Sequence, residues 1–300
     1  MSQKNGVEKK RGNRLGFLFF KIAVRIFGLR GAYGFLYFVC LYYLIVDREV
    51  VAASLAYSTR RFPDHGRLRR IADVYLLLIS QGRNLIDRYA LSAGYQDIDI
   101  EIIGYDAIQD ILSDQHKGFI LLTAHVGNWQ VAMTALKKFD RNISLMMRPE
   151  DNSAVKKTLN IDQGNENISI IFTDDSLGGV FEAIRAINNG TLVSIMGDRT
   201  YGYSALEASF LGGSVQLPYG AFSIAAGVGC PVVVLLSART GFKKYVVDMS
   251  HVIRLPKGTR AERDAGVKNA VQEFARILEE YIMINPFQWF VFRDIWKSNK

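Results

Sequence analysis

From about residue 119 onward the chain alternates short apolar runs with longer amphipathic ones. Phe119–Thr123, Ile143–Met147, Ile168–Phe172, Leu192–Met196, Val232–Ser237 and Tyr245–Val252 are rich in β-branched and large apolar residues and read as strands. Val131–Phe139, Ala154–Ile161, Leu177–Asn188, Ala221–Gly227 and Ala261–Ile284 read as helices between them. Strand runs without period-two alternation fit positions buried on both sheet faces. Strands alternating with helices predict a layered α/β domain around a mostly parallel central sheet. Upstream the pattern is helical. Ile71–Ala90 reads as a helix, set off by the charged turn Ser58–Arg70 around Pro63 and Gly66.

The first 50 residues form a different pattern. "MSQKNGVEKKRGNR" carries five basic residues and one acid, and a long apolar, aromatic stretch follows. Arg14, Lys21 and Arg25 share one face of a helix, opposite Phe17, Phe20, Val24 and Phe27. This is the pattern of a basic amphipathic helix in a membrane interface. Gly28 and Gly31 interrupt it, and Gly31–Val46 is a run of 16 uncharged residues. A spanning helix needs about 20, so the run fits a shallow or re-entrant segment, or the wall of a core. A cleaved signal peptide would end in a small-x-small site, and Asp47, Arg48 and Glu49 stand before the nearest one, Ala52-Ala53-Ser54. The division expected is a membrane-associating segment over 1–50 attached to a body over 51–300. The basic residues point to the cytoplasmic side.

Composition narrows the class. The 300 residues are 49% hydrophobic and 22% charged, enough to bury a sizeable core. The formal charge of +8 suits nucleic acid, an anionic membrane or an acidic ligand, and does not choose among them. Cys40 and Cys230 sit far apart in apolar runs and read as free, buried thiols. His65, His116 and His251 lack metal-ligand spacing, so no metal is expected. "RRFPDHGRLRR" lacks interleaved stacking aromatics, so no nucleic-acid partner is expected. A basic patch there would instead steer an acidic carrier protein or face a membrane.

The chemistry concentrates in "FILLTAHVGNWQVA", Phe119–Ala132. His125 ends a strand, Gly127 permits unusual dihedrals at the turn, and Asn128 can cap the helix that follows. In layered α/β folds, ligands meet the carboxyl ends of strands. A histidine so placed can act as a general base on a hydroxyl or amine; it can equally be a structural histidine bonded to a carbonyl. Trp129 can equally be core.

"AHVGNWQ" resembles the first block, H-x-x-x-x-D/E, of the late acyltransferases of lipid A biosynthesis, within the lysophospholipid acyltransferase superfamily. "RPEDN" (148–152), "GTLVSIMGDRTYG" (190–202), "ASFLGGSVQLPYGAFSIAAGVGCPVVV" and "INPFQWFVFRDIWK" resemble later blocks of the same family, in the same order, over roughly residues 15–297. The resemblance implies a layered α/β acyltransferase fold with N-terminal membrane-associating helices. It implies acyl transfer from an acyl carrier protein or acyl-coenzyme A thioester to a membrane lipid, without a cofactor, at the cytoplasmic face of the bacterial inner membrane. His125 would be the base, with Gln130 in the place of the family's orienting acid. Amides near Asn128 and Trp129 would meet the oxyanion. Arg148 and Asp198 would line the cleft, Arg148 toward a phosphate and Asp198 holding Arg148 or the turn around Arg199.

Three departures stand out. Gln130 replaces the acid; an amide oxygen can hold the tautomer of His125 but cannot compensate an imidazolium. Either Asp198 or another carboxylate stands in, or the acceptor is an amine, or the protein is a weak or inactive acyl-binding relative. No arginine lies between Arg148 and Arg185, and Arg199 stands where the family commonly has Gln. The rival reading is a membrane-lipid glycosyltransferase using Asp174 and Asp175 of "TDDS", although Asp175 or Ser176 also reads as a helix cap.

Overall fold

The computed structural model describes residues 14–92, 94, 98–148, 167–173, 178–200 and 204–297, with side chains described except at 14–20, 92 and 137. The expected helix Ala154–Ile161, most of "RPEDN" and the pair Asp174 and Asp175 lie outside the described residues.

Nine strands are present among the described residues: β1 (Asp99–Ile103), β2 (Ile120–Thr123), β3 (Ile143–Met147), β4 (Ile168–Phe172), β5 (Leu192–Met196), β6 (Ala205–Phe210), β7 (Gly213–Pro218), β8 (Val232–Gly241) and β9 (Lys244–Ile253). Seven form one sheet in the order β1-β9-β8-β2-β5-β3-β4. From β8 through β2, β5, β3 and β4 every pairing is parallel. The short turn between β8 and β9 permits only an antiparallel hairpin there, and β1 joins its far edge parallel to β9. The mixed α/β fold with a mostly parallel sheet is thus the one the sequence pattern predicts. The six predicted strands are present, some extended by a few residues. The pattern missed β1, which alternates charge with isoleucine, and the β6–β7 hairpin, which forms its own two-stranded sheet.

The lack of alternation in β2 has a direct cause: all four residues are buried. Ile120, Leu122, Val193, Val232 and Val234 face a core closed by α6 (Gly178–Asn188), α7 (Gly220–Val228) and α8 (Arg260–Ile284), through Ala183, Phe222 and Phe274. Phe119, Leu121, Leu145, Val233 and Leu235 face a second core, closed by Ile108 of α4 (Tyr105–Ser113) and Ala132 and Met133 of α5 (Trp129–Ala135). The helix expected over Val131–Phe139 is α5 followed by a 3-10 turn, Leu136–Phe139.

Three helices precede the sheet: α1 (Arg14–Val46), α2 (Arg48–Arg61) and α3 (Arg67–Ser92). Asp47 caps α2 by accepting from the Val50 N–H at 3.1 Å. The break expected near Gly28 is a kink inside α1, where Gly28 adopts φ 66° and ψ −175°. Leu29, Ala32, Tyr33, Leu36 and Cys40 pack on Ile79, Ile86 and Ala90 of α3. Leu36 sits over Gly82, where any Cβ would lie 2.3 Å from its Cδ1. On the helical face drawn from the sequence, Lys21 and Arg25 are exposed; opposite them Val24 is buried within the protein, whereas Phe27 is 58% exposed and packs on Phe35. The kink carries the buried stripe from Ala23 and Val24 to Leu29 and Ala32, a phase that the spacing before Gly28 does not extrapolate. Lys21–Val46 is long and apolar enough to cross a membrane. Its outer face shows Phe38, Leu41, Tyr42 and Ile45. Of the two thiols, Cys40 is buried, whereas Cys230, expected to be buried, is only partly so.

Candidate active site

Parallel pairing puts the carboxyl ends of β2, β5 and β3 along one edge of the sheet. The register aligns Thr123 with Met196, and the Gly197 N–H donates to the Thr123 carbonyl at 2.9 Å. His125 and Asp198 each lie two residues beyond that aligned pair, so they meet. The His125 Nδ1 is 2.7 Å from one carboxylate oxygen of Asp198, and the His125 backbone N–H donates to the other at 2.9 Å. The Trp289 indole N–H donates to that second oxygen at 3.1 Å. Asp198 is fully buried, while the imidazole keeps 20% of its surface open.

Burial pushes the Asp198 carboxyl up. The His125 charge and hydrogen bonds, with the Arg199 guanidinium, more than offset this and hold it down at about 2. A depressed folded-state value stabilises the fold at pH above the unfolded value of about 4, and that contribution is lost as pH falls toward about 2. It amounts to about 2 kcal/mol. Urea midpoints measured from about pH 6 to about pH 2 should fall more steeply for wild type than for Asp198→Asn. Parallel pH profiles would contradict the assignment.

The turn after His125 is clamped from two sides. On one side runs 288–290: the Gly127 N–H donates to the Gln288 carbonyl and the Phe290 N–H to the His125 carbonyl, both at 2.8 Å. On the other side stands α3. The Asn84 side-chain N–H donates to the Gly127 carbonyl at 2.6 Å. Asn84 in turn receives the Tyr245 hydroxyl at 3.3 Å. That hydroxyl lies 2.5 Å from Asp87, which also accepts from Tyr33 and, at 3.3 Å, from Arg239. Gly127 has φ 46°, and a Cβ there would lie 1.8 Å from the Ser237 carbonyl oxygen. Gly127 is therefore required both for its backbone conformation and for the close approach of β8.

The other expected site residues divide. Asn128 caps α5, accepting from the Val131 N–H at 3.4 Å, and its amide donates to the Asn84 carbonyl at 3.2 Å. It is buried and held within the protein. Trp129 packs against the core on the α5 side of the sheet. Gln130 is buried in the first turn of α5, and the carboxylate at Nδ1 of His125 is Asp198. Arg148 follows β3 and Arg199 follows Asp198, so both stand at the same sheet edge; Arg199 donates to the Phe290 carbonyl. Gln288, Trp289, Phe290 and Asn84 had no assigned role from sequence. The first three lie in the "NPFQWF" block, whose resemblance was visible without its geometry. Nothing in the local sequence marked Asn84. Among the described residues, no three His, Cys, Asp or Glu gather to hold a metal ion.

Fold and site together define a class: a mostly parallel α/β protein with a histidine–carboxylate pair at the carboxyl edge of its sheet. Residues 92–298 match the family described as bacterial lipid A biosynthesis acyltransferase, and the chain belongs to that family. It is accordingly an acyltransferase, of a kind that uses an acyl donor and a lipid acceptor. No curated protein sequence matches the chain.

Proposed function

We propose that the protein moves a fatty acyl chain from an acyl carrier protein or acyl-coenzyme A thioester to a hydroxyl or amine of a membrane lipid, lipid A-like or otherwise amphipathic. We place the reaction at the cytoplasmic face of the bacterial inner membrane, with His125 as base. The observation that carries this reading is the pairing of His125 Nδ1 with a fully buried Asp198.

The chemistry follows from the pair. Asp198 holds the proton on Nδ1, so Nε2 presents its lone pair. Nε2 takes the acceptor's proton as the acceptor oxygen or nitrogen attacks the thioester carbonyl carbon. Asp198 compensates the imidazolium that forms, which an amide at position 130 could not do. Collapse of the tetrahedral intermediate breaks the carbon–sulfur bond, and the departing thiolate takes the proton back from His125. Arg148 and Arg199, at the same edge, supply positive charge for a donor or acceptor phosphate. The basic stretch Ser58–Arg70 is partly engaged within the protein: Arg61 is bonded to the Ile282 and Met283 carbonyls, and Arg60 stacks on Trp296. Arg60, Arg67 and Arg69 are exposed and available to a carrier-protein surface. The apolar helix α7 buries Phe222 and Ile224 in the core.

The test is thioester consumption by the purified full chain with each donor and mixed bacterial lipids, the products followed by mass spectrometry. Acylated lipid is expected. Donor turnover without acylated lipid would replace this reading with thioester hydrolysis, and no turnover with any acceptor while acyl chains still bind would replace it with that of an acyl-binding relative.

Gln130→Glu gives a second expectation. With Asp198 already on Nδ1, a new carboxylate has no role there and would be buried, at a cost of about 3 kcal/mol or more. Turnover should not rise, and the thermal midpoint should drop by several degrees. Faster turnover by Gln130→Glu would show instead that position 130 orients the histidine.

A further inference from the structure

Between α1, α3 and the segment 284–288 lies a cleft of about 280 Å³. Tyr37, Ser80, Arg83, Arg239, Asn285 and Gln288 contribute its polar lining, and among the described residues no Asp or Glu lines it. The two guanidiniums differ in their circumstances. Arg239 is balanced by Asp87 and lies over the Tyr33 ring. Arg83 donates through Nη2 to the Tyr37 hydroxyl at 2.7 Å and lies near the Tyr33 and Tyr37 rings, but no carboxylate pairs with it among the described residues. Its Nε is buried and has no hydrogen-bond partner. A buried donor without an acceptor is costly and uncommon in a native fold. Nε itself is closed to the cleft, so a ligand there would meet the terminal nitrogens of Arg83. A guanidinium that, among the described residues, has no carboxylate partner and lies in an acid-free cleft is a group well matched to phosphate oxygens.

The surroundings identify what carries that phosphate. Leu76 and Ile284 line the cleft and are exposed. Phe38 and Leu41, one and four residues beyond Tyr37 on α1, are exposed as well. Tyr37, Phe38 and Leu41 lie on the helix long and apolar enough to cross a membrane. An anion held by Arg83 would therefore have an apolar surface beside it, suited to acyl tails rather than to water.

We propose that this cleft is a phospholipid site, in which Arg83 and the Tyr37 hydroxyl hold the phosphodiester of a membrane glycerophospholipid whose tails lie along α1. It depends on α1 lying in a membrane and not on the acyl-transfer reading. The bound lipid is not a reactant: it sits behind Gln288, whose carbonyl holds Gly127, and is a fixed part of the enzyme's seat in the bilayer.

The experiment titrates the full chain, in a neutral sugar detergent and with no acyl donor present, with dihexanoyl phosphatidylglycerol, dihexanoylglycerol and inorganic phosphate. The phosphatidylglycerol is expected to bind best. Arg83→Gln should weaken it about tenfold or more. Ser80→Glu, which sets a carboxylate three residues from Arg83 on the same helix, should do the same. Arg83→Lys should fall between. A second readout needs no variant: phosphatidylglycerol should protect Arg83 of the wild-type protein from phenylglyoxal, and dihexanoylglycerol should not. Equal binding of inorganic phosphate would make this a free-anion site and overturn the lipid assignment. Unchanged binding by both variants, or modification of Arg83 at the same rate with and without lipid, would overturn the site itself. Because no donor is present, a failure here leaves acyl transfer untouched, and a failure of acyl transfer leaves this result standing.

Discussion

His125→Ala should abolish acyl transfer, and Asp198→Asn should lower turnover by a factor on the order of 10⁴ while the protein stays folded. The two substitutions act on one unit. Without the imidazole no group at the sheet edge takes the acceptor's proton. With an amide at position 198, the side chain can either accept from Nδ1–H or donate to Nδ1, and the second arrangement puts the proton on the wrong nitrogen. Even in the first, the imidazolium of the transition state has lost its compensating charge inside a buried site. The magnitude is taken from serine proteases, where the same carboxylate-to-amide change carries that cost. Turnover measured at saturating thioester, with circular dichroism to confirm folding, checks it. Asp198→Asn turnover within about tenfold of wild type would remove Asp198 from the mechanism. The double variant should be no worse than His125→Ala, because residues acting as a unit are not additive.

Gly127→Ala should be the most damaging glycine-to-alanine change among the described residues. Its φ of 46° is strained for any residue with a Cβ, and that Cβ would lie 1.8 Å from the Ser237 carbonyl oxygen. The neighbour cannot move aside cheaply. Ser237 lies in β8, and its carbonyl already accepts the Tyr281 hydroxyl of α8 at 2.7 Å. The strain and the overpacking together amount to about 3–5 kcal/mol, and relaxation would have to displace the turn that carries His125. Lost activity together with a large drop in the urea midpoint is therefore expected. Near-wild-type stability would show that the turn can rearrange.

What the sequence disclosed of this site was local. Strand, histidine, glycine and helix cap in Phe119–Ala132 follow from side-chain periodicity and turn chemistry, and all are present. The partner of the histidine was not local. Spacing directs attention to position 130, on the first turn of the next helix, whereas the carboxylate arrives from β5, 73 residues on. Only the β2–β5 register places it, and register between strands far apart in sequence is set by how the whole sheet packs. The same holds for Trp289 and Gln288, which come from the segment after α8. The kink in α1 was legible because glycine marks it. The buried face beyond the kink was not, because a helical phase cannot be carried across a left-handed step. β1 escaped notice because its alternation of acid and isoleucine belongs to an edge strand rather than to the apolar runs of the sheet centre.

The span of these connections bears on when the enzyme can work. Asp198 meets His125 across 73 residues, Trp289 meets Asp198 across 91, and Tyr57 of α2 holds the Pro286 carbonyl across 229. No short stretch of the chain contains a working subset of the site. With His125 as the proposed base, oriented only by the completed long-range topology, no fragment would be active, and the loop-closure entropy would have to be met in full before the first turnover. Incomplete or partly unfolded chains would thus be chemically silent, and activity would appear and disappear with the fold as one cooperative event.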